Sequence, residues 1–174
     1  MYNISPARPT DKEYASFYSG YVGLVPDGDL FRNLKEQGVE TQKFLKSIGE
    51  STSERRYAPD KWSIREVLAH VADSERVFTY RALRFARADA TPLPGYDEKA
   101  WGQSSNAQSI PLAILMEDLQ SLRVATLSLF RSFDDDGWGR SGTANNNPIT
   151  VRALAYIVCG HERHHVKIIK ERYL

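Results

Sequence analysis

The stretch VRALAYIVCGHERHHVKIIKERY, residues 151–173, decides the fold. Its apolar seam reads Leu154, Val158, His161, His165, Ile168, at the four-three-four-three spacing of a helix packed lengthwise in a bundle. Asn145, Asn146, Asn147 and Pro148 interrupt whatever precedes it, so the helix is expected from near Thr150 to about Tyr173. Two of the seam positions are histidines. An imidazole inserted into an apolar seam without a partner costs about 1–3 kcal/mol, and this seam therefore calls for a partner that both rings can share.

Helix-period patterning recurs in three stretches before this one, with Pro, Gly and Asn gathered between rather than within them. A first long helix is read over about 29–48, where Leu30, Leu34, Val39, Phe44, Leu45 and Ile48 form a rough stripe broken by Gly38. The second starts at Ser63, which with Glu66 three residues on forms a capping box, while Trp62 can staple onto Val67. It runs to about Ala88 through Val67, Leu68, Val71, Val77, Phe78, Leu83 and Phe85, and ends before Thr91 and Pro92. The third opens near Ser109, accepts Pro111 in its first turn, carries Leu112, Leu115, Met116, Leu119, Leu122, Leu127, Leu129 and Phe130, and stops before Asp134.

The predicted fold is all-α, a four-helix bundle. The connection between the second and third helices, about 89–108, is far longer than the roughly two to eight residues that join antiparallel neighbours. Those two helices are therefore not simple up-down neighbours. The connection, with Pro92, Pro94, Gly95, Tyr96, Asp97 and Trp101, is read as a crossover covering one end of the bundle. Residues 1–28 form an N-terminal segment packing on the bundle domain of residues 29–174. With Tyr14, Phe17, Tyr18 and Tyr21, the segment either contains a short helix or lies across the helices.

Composition narrows the function. The 174 residues carry 23 Lys and Arg against 22 Asp and Glu, a net charge of +1 that offers no basic excess for a phosphate backbone, so nucleic acid is not the expected partner. The single cysteine, Cys159, cannot make an internal disulfide, and no apolar run approaches the 18 or so residues of a membrane span. No apolar stretch follows a basic start at the N-terminus, as a secretory signal would require. A cytoplasmic protein with a small-molecule substrate is expected.

Three of the four histidines lie in Gly160-His161-Glu162-Arg163-His164-His165. Residues four apart share a helix face, so His161 and His165 can aim at one centre. His70, on the second helix and three residues after Val67, points to the same interior and supplies a third ligand. Three neutral imidazoles make an open metal site in which other positions are left for water or substrate. His164, about 60° behind His161 on the helical wheel, belongs at the rim. Cys159 points nearly opposite His161 and reads as a small buried residue. Asp73, one turn after His70, and Glu162 could orient an imidazole or take a proton. Arg76, Arg81, Arg84 and Arg87 could receive substrate carboxylates, although helix-face ion pairing with neighbours such as Glu75 and Asp89 explains them more simply.

These residues resemble the DinB-like (YfiT-type) superfamily of four-helix metalloproteins. The resemblance rests on KWSIREVLAH at 61–70, DSER at 73–76, YRALRFAR at 80–87, TPLPGYD at 91–97, VRAL at 151–154 and GHERHH at 160–165. It implies an unusual helix order, a divalent metal, often nickel or zinc, on a histidine triad that maps to His70, His161 and His165, and frequently a homodimer. Relatives of this kind include thiol-dependent S-transferases using bacillithiol, mycothiol or glutathione, a thiol-dependent isomerase, and metal-dependent hydrolases. The expectation is a metal-dependent enzyme of the S-transferase type, with a low-molecular-weight thiol as co-substrate. A metal-dependent hydrolase is the first alternative, favoured if Asp73, Glu162 or Asp97 faces water at the metal. A non-enzymatic bundle that binds a metal or small ligand is the second.

Overall fold

Ser63 does what its position predicts. In a computed structural model that describes residues 5–174, its side chain accepts a hydrogen bond from the Glu66 N–H, and Glu66 accepts one from the Ser63 N–H, so two orphan donors at the helix start are satisfied at once. The helix they open, α3, spans Ile64–Ala86. Before it come the short α1, Ser19–Gly23, and α2, Leu30–Ser53, capped by Asp29. After it come α4, Glu98–Ser104, α5, Leu112–Arg131, α6, Asp135–Gly139, a hairpin of β1, Ser141–Ala144, and β2, Asn147–Thr150, and finally α7, Val151–Arg172.

The four long helices are α2, α3, α5 and α7. Their directions follow from which ends meet. The Leu112 N–H at the start of α5 donates to Glu50 near the end of α2, and Arg65 at the start of α3 donates to Gln108 just before α5. The Tyr173 hydroxyl, just past α7, donates to the Trp62 carbonyl before α3. Hence α3 and α5 run parallel, α2 runs antiparallel to both, and α7 runs antiparallel to α3. The long crossover is needed because a parallel neighbour can be reached only by returning to the starting end of the bundle.

Several boundaries differ from the sequence reading. The first long helix continues past 48 to Ser53, bent at Gly49, whose φ of 75° only a residue without Cβ adopts freely. Its inward stripe is Leu30, Leu34, Gln37, Thr41 and Leu45, and Val39 is 65% exposed. Val39 lies about 160° from the centre of that stripe, nearly on the opposite face, which the Gly38 interruption obscured. The third long helix begins at Leu112 rather than near Ser109, because Ala107–Ser109 coils more tightly as a 3-10 turn ahead of Pro111. The crossover is not bare loop. It holds α4, and Leu93 pairs with Ala144 of β1. The hairpin turns through Asn145 and Asn146, both at positive φ of 49° and 61° as a two-residue hairpin turn requires.

Two apolar clusters fill the bundle. One gathers Leu30, Leu34, Phe78, Phe85, Phe130, Phe133, Leu154 and Ile157 with Val22 and Val25 of the N-terminal segment, and the other gathers Leu45, Ile64, Leu68, Met116 and Ile169 at the opposite end. Residues before α2 are tied down further by Glu13. Its carboxylate accepts hydrogen bonds from Arg152, the Thr150 hydroxyl and the Thr10 N–H. Burial pushes the Glu13 pKa up, but these donors outweigh it and hold it at about 2. A depressed carboxyl contributes stability above its unfolded value and loses it as pH falls through the folded one. Glu13→Gln is therefore expected to cost about 2 kcal/mol at pH 7 and almost nothing near pH 2, measured by urea unfolding at both.

Candidate metal centre

The seam of α7 faces α3, and the three predicted residues meet there. His161 Nε2 lies 3.1 Å from His70 Nε2 and 3.1 Å from His165 Nε2. One nitrogen of each ring falls within 4.8 Å of the other two. His70 and His161 are buried and His165 is half-buried. Burial pulls the His70 pKa down to about 4 and that of His165 to about 3, the latter also through its histidine neighbours. His161 is pushed well below the ordinary range by burial and then by His165, His70 and His164. All three rings are thus neutral at pH 7, with lone pairs available.

The donor set suits a metal for a reason of hydrogen-bond arithmetic. A neutral imidazole nitrogen either carries a proton or accepts one, so His161 Nε2 cannot form good hydrogen bonds with both neighbours. A divalent cation among the nitrogens would engage all three lone pairs. Neighbouring ligand nitrogens of one ion, at bond lengths of about 2.0–2.1 Å, stand about 3.0–3.4 Å apart, and the observed 3.1 Å matches.

Aromatic rings wall the cluster. Tyr21 stands edge-on to His161 at 5.2 Å and to His164 at 5.1 Å, Phe78 meets His161 at 5.8 Å, and Trp62 meets His70 at 4.9 Å. Tyr21 can come so close because position 160 is glycine: a Cβ there would sit 1.9 Å from the Tyr21 carbonyl oxygen. Gly160→Ala should push α1 off α7 and cost about 1–3 kcal/mol, read by urea unfolding. His164 lies at the rim, bordering a cleft of about 520 Å³ with Tyr21 and Ile168. A second groove, about 470 Å³ between α2 and α5, lies on the other side of the bundle and reaches none of the three histidines.

The candidate proton carriers are employed elsewhere. Glu162 points about 100° away from His161 and accepts hydrogen bonds from Arg123 (2.7 Å) and Gln37 (2.6 Å) in the buried interior. Arg123 also holds Glu75 through two bonds, and Thr126 donates to Glu75. Asp97 caps α4 by accepting from the Lys99 and Ala100 N–H groups, and Asp73 pairs with Arg76 at 3.6 Å. Cys159 is fully buried and its thiol donates to Gln37 Oε1 at 3.2 Å, on the face away from the cluster. Sequence reading gave no role to Tyr96, whose hydroxyl meets Ser74 Oγ at 2.9 Å one turn beyond His70, or to Glu98, whose carboxyl pKa is raised by partial desolvation and by Asp97 and whose charge raises those of Tyr18, Tyr21 and Tyr96. The presence of Tyr96 and Trp101 in the crossover, now in ring contact at 4.5 Å, was the signal of an aromatic lining there.

The sequence model of the DinB superfamily matches residues 33–169, which include all three histidines and all four long helices in whole or in large part. The chain belongs to the DinB superfamily. Two relatives bear on this DinB protein. "Putative metal-dependent hydrolase OB0413" of Oceanobacillus iheyensis is 23% identical over 155 residues, covering 84% of this chain and 88% of that protein. "Putative metal-dependent hydrolase YfiT" of Bacillus subtilis is 24% identical over 141 residues, covering 79% of each. The solved structure of Bacillus subtilis YfiT, described as an unusual four-helix bundle topology, superposes with a TM-score of 0.70 over 98% of this chain and 93% of that one at 21% identity. The likeness establishes the fold.

Proposed function

We propose that this DinB protein is a metal-dependent enzyme whose His70, His161 and His165 hold one divalent cation, nickel or zinc, and whose nucleophile comes from outside the chain. The observation that carries the proposal is the convergence of three neutral imidazoles with no cysteine beside them among the described residues, since Cys159 faces the other way. A cation bound there would lower the pKa of a thiol or water it engages and so supply the attacking anion at neutral pH. Everything else falls to the chain. Burial keeps the imidazoles unprotonated, Tyr21, Phe78 and Trp62 exclude bulk water, and the crossover brings Tyr96 and Trp101 over the α3 side.

The leading reading is S-transfer from a low-molecular-weight thiol to an electrophilic small molecule. Glu162, Asp97 and Asp73, the carboxylates that would serve a hydrolytic water, are occupied as ion-pair partner, helix cap and ion-pair partner. Hydrolysis is the second reading, favoured by the names of the two relatives and by Glu98, a carboxylate whose charge raises the Tyr21 pKa. Metal-loaded protein assayed with thiols against monobromobimane and a chloro-dinitrobenzene, and separately with esters, amides and lactones, separates them. Conjugation lost in His161→Ala supports thiol transfer. Turnover of the second panel alone overturns it in favour of hydrolysis.

A further inference from the structure

Arg76, Arg81 and Arg84 lie along α3 and Arg87 caps its end, and the structure sorts the four. Arg76 pairs with Asp73 and Asp118, Arg84 with Asp89, and Arg87 lies over the Phe133 ring beside Ser132. Arg81 is different. It is 4% exposed, it forms no ion pair among the described residues, and its one hydrogen-bond partner among them is the Pro94 carbonyl, 2.8 Å from Nη2. A guanidinium carries five N–H donors, and a buried cation without a counter-ion is costly. Residue 81 follows residue 70 by eleven positions, which returns the side chain to within about 20° of the same helix face, about 16 Å along the axis. Ser74 lies between them on that stripe and holds the Tyr96 hydroxyl. From the other side a run of rings leads to the cluster: Tyr18 meets Phe78 at 6.1 Å and Tyr21 at 6.3 Å, and Tyr21 meets His161 at 5.2 Å. Both Tyr18 and Tyr96 feel the Arg81 charge.

We propose that Arg81 is the anion-binding end of the substrate site, and that the substrate, or the thiol that reacts with it, carries a carboxylate held by the Arg81 fork while its other end reaches the histidine cluster. A carboxylate fits better than a phosphate because Arg81 supplies one positive charge, so a dianion would leave uncompensated negative charge. The proposal rests on the histidine cluster being the reacting end, and its test does not need the metal.

Aryl carboxylates of graded length, benzoate, phenylacetate and 4-phenylbutyrate, are titrated beside their primary amides, with tryptophan fluorescence as the readout. Titrations are run on metal-free and zinc-loaded protein, and zinc stoichiometry is measured independently. In metal-free wild type at least one carboxylate is expected to bind about tenfold or more tighter than its amide. In Arg81→Gln the preference should collapse, with zinc uptake unchanged, and Arg81→Lys should retain part of it. Absence of any preference in metal-free wild type overturns the proposal, as does a preference that survives Arg81→Gln. A preference seen only with zinc and lost in His161→Ala makes the carboxylate a metal ligand and also overturns it. Failure to take up zinc refutes the metal reading alone, since the carboxylate comparison stands without it.

Discussion

Arg123→Met is expected to cost about 3–5 kcal/mol of folding stability, enough to lower Tm by about 6–20 °C in a chain of this length. Arg123 sits among Glu75 and Glu162 with all three side chains under a tenth exposed, at 2.7 Å from each carboxylate. Burial by itself would lower the guanidinium pKa, and the two carboxylates more than reverse that, raising it above the ordinary value. Methionine fills similar volume but leaves the two buried carboxylates with Gln37 and Thr126 as their side-chain donors among the described residues. The loss therefore measures orphaned charge rather than a cavity. Adding Glu75→Gln and Glu162→Gln to Arg123→Met should recover a substantial part of it, because the uncompensated charge is then gone. Urea unfolding of the single and triple variants gives both numbers. A loss below about 1 kcal/mol for the single variant would mean that the network is solvated and carries little of the fold.

The second large effect is metal-linked. A ligand that binds only the folded state stabilises it by about 2.7 kcal/mol at a hundredfold excess over its Kd. For a domain of this size that raises Tm by about 5–10 °C. Zinc or nickel should therefore lift the Tm of metal-free wild type by that order, and His70→Ala, His161→Ala or His165→Ala should remove the shift. The histidine variants need not be less stable than wild type without metal. Each deletes a buried or half-buried imidazole that has no full set of partners, since His161 Nε2 faces two nitrogens and can satisfy only one. Scanning calorimetry with and without the ion, at pH 7, separates the two effects. An equal shift in wild type and His161→Ala would place binding elsewhere on the molecule.

Much of this was legible in the sequence, and what was missed has physical causes. Ser63 and Glu66 announced α3 because a capping box is a local device whose partners lie within one turn. The spacing of His161 and His165 on an apolar seam announced their shared face, and the length of the crossover announced that α3 and α5 would not be simple up-down neighbours. Glu162 misled because it adjoins His161 in the chain. One residue is about 100° of helix, and its partners, Gln37 and Arg123, come from two other helices that no local pattern reports. Arg81 looked like Arg76 and Arg84, and only the crossover folding back over it, with no acid paired to it among the described residues, sets it apart. The hairpin was hidden because strands of four residues are too short to show alternation, although the Asn145-Asn146 pair was a turn signal already on the page.

The most direct test of the central claim is elemental analysis of protein purified without a metal-affinity tag, run beside His70→Ala, His161→Ala and His165→Ala after incubation with zinc or nickel. The triad predicts about one equivalent of divalent metal in wild type and its loss in each variant. Wild type that stays empty after exposure to both ions, or variants that keep the metal, would contradict it.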